Sequence, residues 1–139
     1  MKYSPRHNSP ERIYTHMKYS KEIFYQEFIR REDSTNRAPY NPELEFYSII
    51  QNGDTEQVKE LCKASPLKDK KGLGILSENP VNNIRYHFVI TTALVARYCI
   101  EGGLDVATAY NLSDFYIKKS DTMKSVEDIS ELHAFMCID

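Results

Sequence analysis

The chain has 139 residues, 41% hydrophobic, 27% charged and 12% aromatic, with a formal net charge of −2, which is the profile of one folded domain rather than of a disordered chain. No run nears the roughly 18 apolar residues that a transmembrane helix needs, and no apolar stretch follows Met1 as a secretory signal requires. The three cysteines, Cys62, Cys99 and Cys137, are odd in number and far apart, so a disulfide framework is excluded and a reducing cytoplasm is expected.

Charge divides the chain into a basic arm, residues 1–40, and an acidic remainder, residues 41–139. Residues 1–41 carry eight Lys/Arg against five Asp/Glu, and the rest carry ten against fifteen. That balance lacks the footprint of a nucleic-acid surface. In the arm, residues 1–9 are expected to be disordered, while residues 19–31 have helical spacing through Phe24 and Phe28. Asn41-Pro42-Glu43 then reads as an N-cap, a proline at the first helical position and an acid in the first turn. The helix it opens ends at Asn52-Gly53, where glycine can take the left-handed conformation. Asp54-Thr55-Glu56-Gln57 is a capping box that starts a second helix with Val58, Leu61 and Cys62 inward. Residues 42–64 are therefore predicted to form a tight helical hairpin.

Ser65-Pro66 ends that hairpin, and residues 67–79 form a long connection, expected to be tacked down by Leu73, Ile75 and Leu76. Asn79-Pro80 repeats the cap-and-proline device. It opens the longest helix, 81–101, which is apolar on most sides except a stripe of Asn83, His87, Arg97 and Glu101, and which Gly102-Gly103 terminates. A rod apolar nearly all round is the centre of a bundle. Asp105 caps a helix over 106–119, with Val106, Ala109, Tyr110, Leu112, Ser113, Tyr116 and Ile117 as its buried face. Ser125 and Asp128 make another capping box before a helix over 126–138, with Ile129, Leu132 and Met136 inward. No segment alternates as a strand does. The fold class is all-α: a helical bundle of about five to six helices around a long central helix.

Few residues point to chemistry. No Cys-x-x-Cys, His-Glu-x-x-His or Gly-x-Ser-x-Gly occurs, so no enzymatic activity, metal or cofactor is expected. His133 and Cys137 have the i, i+4 spacing of a ligand pair but fall on an apolar face, which favours a core histidine and a buried thiol. His7 and His16 read as solvated. Gly72-Leu73-Gly74 beside Lys70 and Lys71 lacks the strand that a phosphate loop follows. Arg85 sits among Val81, Val89, Thr92 and Ala96, where a charge needs a partner. It is either a structural ion pair with Asp114 or an anchor for a small anionic effector beside Tyr86 or Tyr110. Arg97 and Glu101 make a weak surface pair at most. Phe115 and Phe135 point away from the buried faces of their helices; they mark a contact surface unless a neighbouring helix covers them.

From Asn79 to Asp105 and on through Ala109-Tyr110-Asn111-Leu112-Ser113-Asp114-Phe115-Tyr116-Ile117, the chain resembles the helical N-terminal region of a group of AraC-type transcriptional regulators common in Firmicutes. The shared pattern is an Asn-Pro helix, an Ile-x-Gly-Gly-Leu turn at residues 100–104 and a Leu-Ser-Asp-x-Tyr-Ile helix at 112–117. The earlier Asn52-Gly53-Asp54 hairpin fits the same pattern, so the likeness covers residues 40–138. It implies a regulatory and dimerising module of a longer transcription factor whose C-terminal helix-turn-helix domain would contact DNA. Expected partners are a second copy, that DNA-binding domain and an unidentified effector, with no direct nucleic-acid contact by this segment and no membrane. The family's sugar-binding β-barrel is not encoded here. The alternative is a free-standing helical protein-interaction adaptor, since residues 52–61 also resemble one ankyrin-type helix pair; a single pair makes no repeat array.

Overall fold

A computed structural model describes residues 17–33, 37, 40–63 and 72–139 of the chain. The expectations for residues 1–9, His7, His16, the side chain of Asn41, Lys70 and Lys71 lie outside the described residues. Among those described there are six α-helices and no strands: α1 (Ser20–Glu32), α2 (Tyr40–Gln51), α3 (Thr55–Lys63), α4 (Pro80–Glu101), α5 (Val106–Asp121) and α6 (Val126–Ile138). The all-α bundle expected from the sequence is the fold observed. Contacts divide the chain into two units, residues 1–36 and 37–139. The first contributes α1, whose Glu27 pairs with Arg31 at 2.8 Å and with Arg30 at 3.8 Å, and which has no buried residue. No described helix is long and apolar enough to cross a membrane.

In the second unit the local rules decide where each helix starts and stops. The Asn79 Oδ1 accepts from the Asn82 N–H at 3.0 Å, the Asp105 carboxylate from Thr108 N–H at 2.9 Å, and the Ser125 hydroxyl from Asp128 N–H at 3.1 Å. Asp54 caps α3 in the same way, through Gln57 N–H at 3.2 Å. Each cap satisfies one of the amide groups that the first turn leaves without a helical partner. The helix α2 begins at Tyr40, so Pro42 is its third residue rather than its first, still within the turn where a missing N–H costs nothing.

Both α2 and α4 end in the same double hydrogen bond. Gly53 N–H donates to Ile50 C=O and Asp54 N–H to Ile49 C=O; Gly103 N–H donates to Ile100 C=O and Leu104 N–H to Cys99 C=O. This Schellman arrangement requires a left-handed residue, and Gly53 and Gly103 supply it at φ 67° and 107°.

The central rod is α4, which packs against α2, α5 and α6, while α3 packs on α2 and α6. The core unites Tyr47 and Ile50 of α2, Val58 and Cys62 of α3, Ile84, Phe88 and Val95 of α4, Tyr116 of α5, and Ile129, Leu132 and Met136 of α6. Tyr47 stacks on Tyr98 with ring centroids 4.8 Å apart and planes 12° from parallel, fixing α2 on α4.

Three side-chain expectations are corrected. Leu61 is exposed, because the nine-residue α3 turns only Val58 and Cys62 fully inward. Val106, Tyr110 and Leu112 are also exposed: the buried face of α5 is the narrower line of Ala109, Ser113, Tyr116 and Ser120. The small residues on that line let α5 lie close against α4, and the larger side chains flank the seam instead. The connection before α4 is held less by Ile75 and Leu76, both exposed, than by the polar stripe of α4. Asn83 Oδ1 accepts from Leu76 and Ser77 N–H at 2.6 and 3.2 Å, and His87 Nε2–H donates to Gly74 C=O at 2.5 Å.

Candidate functional site

Arg85 leaves the first turns of α4 toward the end of α5, where a helix presents carbonyls without partners. Its Nε–H donates to Ser120 C=O at 3.2 Å, one Nη to Met123 C=O at 2.5 Å and the other to Asn82 Oδ1 at 2.7 Å. The guanidinium thus caps α5 from another helix, placing a cation at its negative dipole end. Asp114 is not its counter-ion. That carboxylate is exposed, and no ion pair joins the two among the described residues. Arg85 is a charge in need of partners, as its apolar surroundings imply; those partners are two backbone carbonyls and the Asn82 side chain, which no charge pattern reveals.

The four residues expected around an effector are not gathered together. Arg85 lies at the C-terminal end of α5, whereas Tyr110, near its start, sits beneath Arg97, whose guanidinium is 5.7 Å from the ring centroid. Twelve residues of α4 separate Arg85 from Arg97, about 18 Å along the axis. Tyr86 and Asp114 are exposed. Arg97 turns from Glu101 to Tyr110 and to Ala93 C=O at 2.8 Å. The cavity between α4, α5 and α6, lined by Thr92, Cys99, Ser113, Tyr116 and Met136, measures about 80 Å³, well under the few hundred that a small-molecule site occupies. A groove of about 330 Å³ under residues 73–78 is lined by Leu73, Ile75, Glu78 and Asn83. Neither contains any of the four.

Phe115 and Phe135 are uncovered by the described residues, 56% and 64% exposed, and Tyr86 and Ile90 on α4 are about half exposed. Phe115 meets the edge of the Tyr116 ring, with ring centroids 5.2 Å apart. Tyr116 in turn donates its hydroxyl to the Asp139 carboxylate; burial and that bond push its pKa up to about 12.

The interior holds a cluster of which the sequence singled out His133 and Cys137 but not their neighbour Cys62. His133 is 2% exposed. Its Nε2 lies 3.7 Å from Cys137 Sγ, and its Nδ1 is buried with no hydrogen-bond partner among the described residues. Desolvation pushes its pKa down to about 4, so the ring is neutral. Cys62 on α3 and Cys137 act on each other, which holds Cys62 below the ordinary thiol range and Cys137 above it, the latter further raised by burial. Cys99 is raised by burial alone. Both His133 and Cys137 are core residues, as their apolar helix face implies. The meeting of Cys137 with Cys62 was missed because the two are about 75 residues apart, and only the docking of α3 on α6 joins them. Among the described residues no group of three or more His, Cys, Asp or Glu side chains is arranged to hold a metal ion.

Comparison of the chain with known protein families, curated proteins and solved structures finds no match.

Proposed function

We propose that the bundle is the regulatory and self-associating module of a cytoplasmic transcription factor of the AraC type, acting by binding rather than catalysis and joined to a helix-turn-helix domain that contacts DNA. The observation that carries this reading is the pair of uncovered phenylalanines, Phe115 on α5 and Phe135 on α6. Large aromatic side chains left in water beside a well-filled core are what a protein–protein contact uses as anchors. The family assignment rests on the Asn79–Ile117 pattern, and the acidic balance of residues 42–139 agrees with a division of labour in which another domain holds the DNA. A signal changes such an assembly only by binding its associated and dissociated states with different affinity.

The test fuses residues 1–139 to a helix-turn-helix domain that must dimerise to occupy its operator, with a repressible reporter as the readout. Repression is expected with the natural sequence and is expected to be lost when Phe115→Lys and Phe135→Lys are combined, while circular dichroism shows unchanged helix content. A fusion that stays monomeric in sedimentation and never represses overturns the proposal and leaves the adaptor reading.

A further inference from the structure

We propose that residues 73–77 are a self-complementary backbone edge, through which two copies of the chain pair antiparallel about Ile75 and are held by reciprocal Arg37–Glu78 ion pairs. The backbone comes first. Along the connection before α4, Gly74 C=O accepts from His87 and Leu76 N–H donates to Asn83, as does Ser77 N–H where the chain bends into α4. Gly74 and Leu76 thus turn the same way, toward α4, which is the two-residue period of an extended backbone. Ile75 between them turns its N–H and C=O away from α4, and neither Ile75 nor Leu73 makes a hydrogen bond among the described residues. The Ile75 side chain is 68% exposed. Open donors and acceptors beside an apolar side chain in water are a template for a second extended chain.

Charge selects the occupant. The Arg37 guanidinium lies against Gly74, whose missing Cβ makes room for it. Glu78 stands at the other end of the segment, on the groove of about 330 Å³ that Leu73, Ile75, Pro80 and Ile84 also line. Neither charge has an ion-pair partner among the described residues. A cation at one end and an anion at the other is what a two-fold antiparallel pair satisfies, because each end meets the opposite end of the second copy. With Ile75 opposite Ile75, the two residues exchange both backbone bonds. Glu78 then comes to about 8 Å from Gly74 of the second copy, a gap that two long side chains close. An outside peptide would need these charges in this order; a second copy carries them already. The paired surface is small, so the contact is weak and sensitive to salt. It is separate from Phe115 and Phe135 and does not depend on the transcription-factor reading; where both contacts form, dimers join into larger assemblies.

The experiment follows sedimentation equilibrium of the full 139-residue chain with Phe115→Lys and Phe135→Lys in place, so that the aromatic surface plays no part, at rising concentration and low salt. This parent is expected to show a monomer–dimer equilibrium. Arg37→Glu or Glu78→Arg, added singly, is expected to weaken pairing about tenfold, since the two-fold axis repeats each broken pair. An equimolar mixture of the two variants is expected to pair as well as the parent, because every Glu then meets an Arg across the axis. Ile75→Pro, which removes an N–H of the edge and keeps an apolar side chain, is expected to abolish pairing with circular dichroism unchanged. A parent that stays monomeric, single charge variants that pair as well as the parent, a mixture no stronger than its components, or a folded Ile75→Pro chain that still dimerises would each overturn the proposal. The charge variants alone decide the matter if Ile75→Pro disturbs the fold.

Discussion

Arg85 illustrates how one side chain can be both misplaced in water and indispensable in the fold. Its three bonds reach the backbone at Ser120 and Met123 and the side chain of Asn82, so Arg85→Ala removes a charged donor from both carbonyls, and Ser120 C=O keeps only the Met123 N–H. With hydrogen bonds from a charged donor worth about 1.5–3 kcal/mol and the site only half-buried, a loss of about 1–2 kcal/mol is expected in urea unfolding. Arg85→Lys is expected to recover less than half of it, because one ammonium cannot reproduce a planar fork. A variant as stable as the natural chain would mean that the capping is idle. His133 gives a second expectation, this one in pH. Its folded pKa is about 4 against 6.5 when exposed, so the unfolded chain takes up a proton that the folded chain refuses. The stabilisation from keeping the ring neutral is whole above pH 6.5 and drains away as pH falls toward 4, by about 1.4 kcal/mol per unit and about 3 kcal/mol in all. Urea midpoints between pH 7 and 4 are expected to slope accordingly, and His133→Leu to lack that share of the slope.

At the level of helices, the two glycines that close α4 act for different reasons and so fail differently. Gly103 stands at φ 107° with open space around it; Gly103→Ala is expected to cost about 1 kcal/mol through backbone strain. Gly102 has an ordinary helical φ of −78°, but a Cβ there would lie 2.3 Å from the Gln51 carbonyl oxygen. Gly102→Ala must therefore push α4 away from the end of α2, and thermal unfolding is expected to show a loss of about 1–3 kcal/mol. A Gly102 variant no worse than the Gly103 one would show that this contact yields freely. The same pair marks how far the sequence could be read. Caps, stops and helix extents were legible because each is written within four residues: Asn79 to Asn82, Asp105 to Thr108, Ser125 to Asp128. Periodicity named Ile129, Leu132 and Met136 correctly, but overfilled α5 with Val106, Tyr110 and Leu112, since apolar character does not say which flank of a stripe another helix will cover. The approach of Gly102 to Gln51, the Arg85 cap and the Cys62–Cys137 contact join residues that only packing brings together.

The whole molecule concentrates its stability in one place. Among the described residues the buried core lies between Tyr47 and Cys137, and α1 buries none of its own. Hydrophobic burial is the dominant favourable term in folding, so residues 1–36, a contact unit of their own, should add little to the free energy that holds α2–α6 together. Deleting them is expected to leave the thermal midpoint of the 37–139 fragment within about 2 °C of the full chain, a shift corresponding to about half a kcal/mol for a domain near this size. Circular dichroism should lose the signal of α1 and keep that of α2–α6. A midpoint lower by 5 °C or more would instead mean that the arm carries part of the packing, through Phe24, Phe28 or Ile29. In that case substitutions at those three positions in the full chain would have to reproduce the loss.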